Sequence, residues 1–257
     1  MPRTIDKLVD TFHLLCQQGV YYEQELFTKF QDMFLVKGIN GVTIIHSHRS
    51  MVKFRNGTSF EKSELGDVLL FFFEPNTGKV RQLFLQFKLC KTKSSATERS
   101  IPYNAINDKQ LRLYSKHPKV EFAASRKASF PFHEDILKDK KYGIKKLENS
   151  GTMYVVMEDS VPYPEFYVIG PEHLDIHHTR PKKIVWKKGA SIEIDSSSKY
   201  EYLVYAESLS DFLKCASEMK VGMEISETDY VKYLEKGVKG KVPIPIIAID
   251  VKTLREE

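Results

Sequence analysis

The chain has 257 residues, enough to bury one substantial core, and mixes charged with aliphatic and aromatic residues throughout, which excludes general disorder. A formal net charge of +5 and an isoelectric point near 8.8 suit a nucleic-acid partner without demanding one. Cys16, Cys90 and Cys215 lie far apart with no CxxC pair, so neither a disulfide framework nor a cysteine-rich zinc site is readable, and a reducing, cytoplasmic compartment is expected.

The opening MPRTIDKLVDTF lacks the apolar core of a secretory signal, and no stretch approaches the roughly 20 apolar residues of a membrane helix. No membrane partner is therefore expected. Nothing in the letters specifies an oligomeric state. VYYEQELFTKFQDMFLV, residues 20–36, sets Leu26, Phe27, Phe30 and Phe34 at helical spacing, with Gly38 as a stop. Glu23 precedes Leu26 and Phe27 by three and four residues and shares their inward stripe, whereas Glu25 falls on the wet side. A carboxylate on an inward stripe needs a reason.

GVTIIHSH reads as a strand, and Asn56-Gly57-Thr58 as a turn. GDVLLFFFEPNTGKVRQLFLQFKLCK then reads as a hairpin: Val68 to Phe73, a turn from Glu74 to Lys79, and Val80 to Lys88. The first arm is apolar on both faces, like a strand covered from each side. On the second, Leu83, Leu85 and Phe87 point one way, while Gln82, Phe84, Gln86 and Lys88 point the other. Gln86 and Lys88 thus share a face, near an aspartate, Asp67, that opens the partner arm.

A polar loop, Lys91 to Ser100, leads to NDKQLRLYSKHP, where Asn107 caps a helix that Pro118 ends, with Gln110 and Tyr114 on one side of it. TMYVVMED at 152–159 reads as a buried strand and VPYPEFYVIGP as extended. KKIVWKK, YEYLVYAES and VPIPIIAIDV read as strands, and SLSDFLKCASEM as a capped helix. The order is mixed α and β, without a solenoid repeat.

A carboxylate at one strand mouth, with a polar group and a lysine two apart on the next strand, suits phosphodiester hydrolysis. The aspartate holds a divalent cation, and the lysine orients a water and offsets transition-state charge. Gly66-Asp67 followed by Gln86-Phe87-Lys88 resembles the PD-(D/E)xK nuclease superfamily in its QxK variant. Gly19-x-x-x-Glu23 resembles that family's helix-borne glutamate, and Gln110-x-x-x-Tyr114 the QxxxY element of its RecB-like and lambda-exonuclease-like members. The resemblance covers about residues 19–160. It implies a restriction-endonuclease-like core at 1–160, with a central mixed sheet flanked by helices, and a β-rich α+β extension at 161–257 packed on it.

It further implies a metal-dependent nuclease acting on DNA more than RNA. Asp67 and Gln86, with Glu23, would bind Mg2+ or Mn2+; Lys88 would orient the attacking water; Gln110 and Tyr114 would contact substrate or brace the site. Gln86 is neutral, so metal affinity is expected to be weak. A rival reading is an inactive nuclease-fold module that binds nucleic acid or a protein partner. Structural readings also stand for single residues, such as a solvated strand end for Lys88 and a turn aspartate for Asp67. His173, His177 and His178 carry helical spacing for zinc but lack a third ligand. The basic runs KDKKYGIKK and RPKKIVWKK, with Trp186, suit a phosphate-binding face, and RPKK resembles a nuclear-import patch.

Overall fold

The computed structural model describes residues 4–17, 19, 22–37, 39, 41–44, 51–90, 99–102, 109–110, 113–114, 120–122, 152–158, 165–169, 183–188, 201–239 and 244–255. The expectations for Gly38, Asn107, Pro118, the three histidines at 173–178, the basic run at 138–146 and the loop at 91–98 fall outside these residues.

The fold is mixed α/β, a mixed sheet flanked by helices. Its main sheet runs β1 (Gly41–Ile44), β13 (Ile246–Asp250), β4 (Val68–Glu74), β5 (Lys79–Cys90), β8 (Thr152–Glu158), β9 (Glu165–Ile169), β11 (Glu201–Ser208), β10 (Lys183–Lys188) and β6 (Arg99–Pro102), with β12 (Met223–Ile225) added on β5. The pairs β13/β4, β5/β8 and β10/β11 are parallel, and the others antiparallel. A separate antiparallel sheet joins β3 (Ser59–Glu64), β2 (Met51–Asn56) and β7 (Val120–Phe122). Asn56-Gly57-Thr58 is the tip of the β2–β3 hairpin, with Gly57 at φ 61°, a conformation that costs glycine little.

Residues 161–257, expected as an extension packed on the first 160, share one sheet with them: β13 lies between β1 and β4, against the site-bearing hairpin. A parallel neighbour is reached only by a long crossover, so adjacency in the sheet need not follow adjacency in sequence.

The β4–β5 hairpin has the expected two-sided burial. Val68, Leu70 and Phe72 of β4, with Leu83, Leu85 and Phe87 of β5, join the core built by α1 (Thr4–Cys16), α2 (Glu23–Val36), α3 (Leu209–Ser217) and α5 (Val251–Arg255). On the opposite face Phe71 meets Tyr230 and Tyr233 of α4 (Glu227–Val238), with ring centroids 5.2 and 5.4 Å apart. Each such aromatic pair adds about 0.5–1.5 kcal/mol to the burial itself.

Two contacts fix α2 over β5. Phe30 packs edge-on against Phe87 at 5.3 Å, and Phe27 lies 6.0 Å from the same ring. The Lys29 ammonium donates to the carbonyls of Leu15 and Gly19 at 2.7 and 2.8 Å, closing the end of α1 and the turn before α2. The first residue of α2, Glu23, is thereby held at the end of β5. No helix among the described residues is long and apolar enough to cross a membrane.

Candidate active site

Antiparallel pairing sets Val68 opposite Leu85, which places Asp67 opposite Gln86 at the mouth of the hairpin. The Asp67 amide donates to the Leu85 carbonyl at 2.8 Å, extending the ladder by one residue. One carboxylate oxygen, Asp67 Oδ2, accepts from the Phe87 backbone N–H at 2.7 Å and from Gln86 Nε2 at 2.6 Å. Phe87 sends its ring into the core while its backbone anchors the aspartate.

Backbone groups at both ends fix the orientation of the amides. Because Oδ2 already accepts from a backbone N–H, the Gln86 group facing it is the amide nitrogen, and Gln86 Oε1 faces away. That oxygen accepts from Gln110 Nε2, which also donates to the Glu64 carbonyl at 3.2 Å. A chain of hydrogen bonds thus runs from the Phe87 N–H through Asp67, Gln86 and Gln110 to the Glu64 carbonyl. Both glutamines are buried, so each bond stands in for water that the site excludes. The Gln86 carbonyl, expected to ligate a cation, accepts from Gln110 here.

Lys88, two residues on and on the same face, is buried to 7 % exposure. Its ammonium lies 3.2 Å from Glu23 Oε2 and 3.4 Å from Oε1. The Glu23 side chain keeps 45 % of its exposure, so it is a rim residue at the helix start, not a member of the buried stripe expected for it. The first turn of a helix lies at the edge of its packed face, where a carboxylate reaches both water and Lys88 and gains from the helix dipole.

Tyr114 is fully buried and its hydroxyl donates to the Leu65 carbonyl at 2.7 Å. With Gln110 on the Glu64 carbonyl, these two helical residues pin the β3–β4 connection at two successive carbonyls. Gly66 sits beneath this clamp: a Cβ there would lie 3.0 Å from the Tyr114 hydroxyl and 3.1 Å from the Leu85 carbonyl. That approach and a φ of +157° both favour glycine at this position.

Asp67, Gln86, Gln110 and Tyr114 are thus linked around the β3–β4 connection, while Lys88 pairs with Glu23 and both of those charges act on Asp67. The sequence reading missed Glu64, the last residue of β3, whose charge acts on Asp67. Its signal was its place three residues before Asp67 in a strand running straight into the site.

The Asp67 carboxyl is raised from 3.8 to about 7. Burial is the main cause. The Phe87 N–H and the Lys88 charge act against it, and the Glu64 and Glu23 charges add to it. Three acidic groups repelling across one mouth suit a divalent cation on charge. Ligand number is less complete: among the described residues no three His, Cys, Asp or Glu side chains group closely enough to hold a metal. A cation would rest on Asp67, near Glu23 and Glu64, with water completing its shell, as magnesium tolerates.

No protein-family profile, no curated protein and no solved structure matches the chain.

Proposed function

We propose that the chain is a metal-dependent nuclease of the PD-(D/E)xK type, hydrolysing phosphodiester bonds in DNA in preference to RNA, with its site at the mouth of the β4–β5 hairpin. The observation that carries this reading is the Lys88–Glu23 pair on β5 and α2, both of whose charges act on Asp67. A restriction-endonuclease-like core is supported by the chain order: a helix bearing Glu23, a strand opening at Asp67, a strand bearing Gln86 and Lys88, and the helical residues Gln110 and Tyr114 before the parallel neighbour β8.

Asp67, with Glu23 and Glu64 nearby, would hold Mg2+ or Mn2+, which polarises a phosphate and acidifies a bound water. Lys88 presents its ammonium to the phosphoryl oxygens and orients the attacking water, with Glu23 fixing the position of the ammonium. Gln86, Gln110 and Tyr114 brace: they hold Asp67 and the β3–β4 connection in place. A nucleic-acid partner in a reducing compartment, the cytoplasm or nucleus, accords with the basic charge of the chain.

One observation favours a second reading, an inactive nuclease-fold module that binds nucleic acid or a protein partner. The Gln86 carbonyl is consumed by Gln110, which leaves Asp67 with fewer partners for a cation. Calorimetric titration with Mn2+ separates the two. The nuclease reading expects saturable binding by wild type that is lost in Asp67→Asn; absence of binding by wild type overturns it.

A further inference from the structure

The β2–β3 hairpin presents two unlike faces. Val52, Phe54 and Ser63 are buried on one. On the other, the register sets Lys53 opposite Lys62 and Arg55 opposite Phe60. Like charges directly opposed across a strand pair cost stability, and β7 offers that row only Glu121, opposite Lys53. Phe60 is 66 % exposed, an unusual state for a phenylalanine, and the Arg55 guanidinium lies over its ring at 5.4 Å from the centroid. Strand β3 then runs through Glu64 to Asp67, and Gln110 and Tyr114 clamp that connection. A basic face tipped with an aromatic ring is thereby held at a fixed distance from the candidate active site.

We infer that this face is where the nucleic-acid strand lies before it enters the site, its phosphates on Lys53, Lys62 and Arg55, and an unpaired base stacked on Phe60. The inference rests on the nuclease reading for its direction, since the strand would run from the hairpin toward Asp67. Charge complementarity selects the occupant. Three cations share the face against Glu121, opposite Lys53, and Glu64 at its end, next to the site where a cation is proposed. A phosphate chain relieves the Lys53–Lys62 repulsion and releases its own counterions. An exposed ring offers every base a stacking surface without selecting sequence.

The test uses the full chain in chelator, so that cleavage does not intervene, with a fluorescein-labelled single-stranded DNA and the matching blunt duplex, read by anisotropy over a salt series. Phe60→Ala is expected to bind the single strand about tenfold more weakly, with Phe60→Trp restoring affinity and the duplex little changed. Lys53→Ala/Lys62→Ala is expected to lower the slope of log affinity against log salt by about 0.7 per lysine removed. Circular dichroism confirms the fold of each variant. Equal losses for single strand and duplex on Phe60→Ala, or wild-type affinity and slope in all variants, overturn the inference. If wild type cleaves in magnesium while the hairpin variants bind normally, this inference fails alone. If wild type binds through the hairpin but never cleaves in magnesium or manganese, the nuclease reading fails and the binding face stands.

Discussion

Gln86 turns its amide nitrogen, not its carbonyl, to Asp67, with Nε2 2.6 Å from Oδ2. Gln86→Glu replaces that donor with an oxygen, so in the absence of a cation two carboxylates face each other and must share a proton. The variant is expected to lose about 1–3 kcal/mol of stability at alkaline pH in chelator and to recover more of it with Mn2+ than wild type does. Thermal melts with and without Mn2+ check this; an unaltered melting temperature in chelator would mean that the amide faces the other way.

Asp67 supplies a pH dependence of definite sign. Its folded-state value of about 7 lies above its ordinary 3.8, so between those values the folded chain holds a proton that the unfolded chain has released. Stability contributed by this group is full below 3.8 and falls as pH rises to about 7. Denaturant titrations across that window should show a flatter pH profile for Asp67→Asn than for wild type. Cation binding should strengthen with rising pH through the same window, since the cation takes the ionised form. Parallel profiles for wild type and variant would remove Asp67 as the titrating group.

Lys88 and Glu23 are unequal partners, the lysine side chain 9 % exposed and the glutamate 45 %. A half-exposed ion pair is worth about 0–1 kcal/mol, so Glu23→Gln should scarcely move the melting temperature. As a positioning residue it should lower cleavage far less than Asp67→Asn does. A loss as deep as that of Asp67→Asn would make Glu23 a cation ligand in its own right.

Gly66 and Tyr114 should couple. Gly66→Ala drives a methyl against the Tyr114 hydroxyl and the Leu85 carbonyl, with an expected cost of about 1–3 kcal/mol. Tyr114→Phe strips the Leu65 carbonyl of its partner, an expected cost of about 1–3 kcal/mol, and also vacates the space the methyl needs. The double variant is expected to lose less than the sum of the singles in a denaturation cycle. Additive losses would place the strain at the Leu85 carbonyl and in the Gly66 backbone, whose φ is +157°.

Strand periodicity made the site legible: a period of two puts Gln86 and Lys88 on one face, and a hairpin puts Asp67 against Gln86 whatever the rest of the chain does. Helical spacing gave Gln110 and Tyr114 a common side, and here both reach the β3–β4 connection. What periodicity does not carry is which end of an amide faces which partner. That was decided by the Phe87 N–H and the Glu64 carbonyl, backbone groups that no side-chain pattern marks. The β2–β3 hairpin was legible only as its turn, because its strands alternate around a small, half-covered sheet. The place of β13 between β1 and β4 was illegible because pairing between strands so far apart in the chain, parallel with β4 and antiparallel with β1, leaves no local mark of register or neighbour.

The nuclease reading is tested most directly by a titration of Mg2+ and Mn2+ in a cleavage assay on linear duplex DNA, single-stranded DNA and RNA, with wild type and Lys88→Ala purified side by side. Metal-dependent cleavage by wild type is expected, strongest on DNA, with a loss of at least about a hundredfold in Lys88→Ala at unchanged melting temperature and nucleic-acid affinity. Cleavage undiminished in Lys88→Ala, or none by wild type at any metal concentration despite measurable binding, would contradict it.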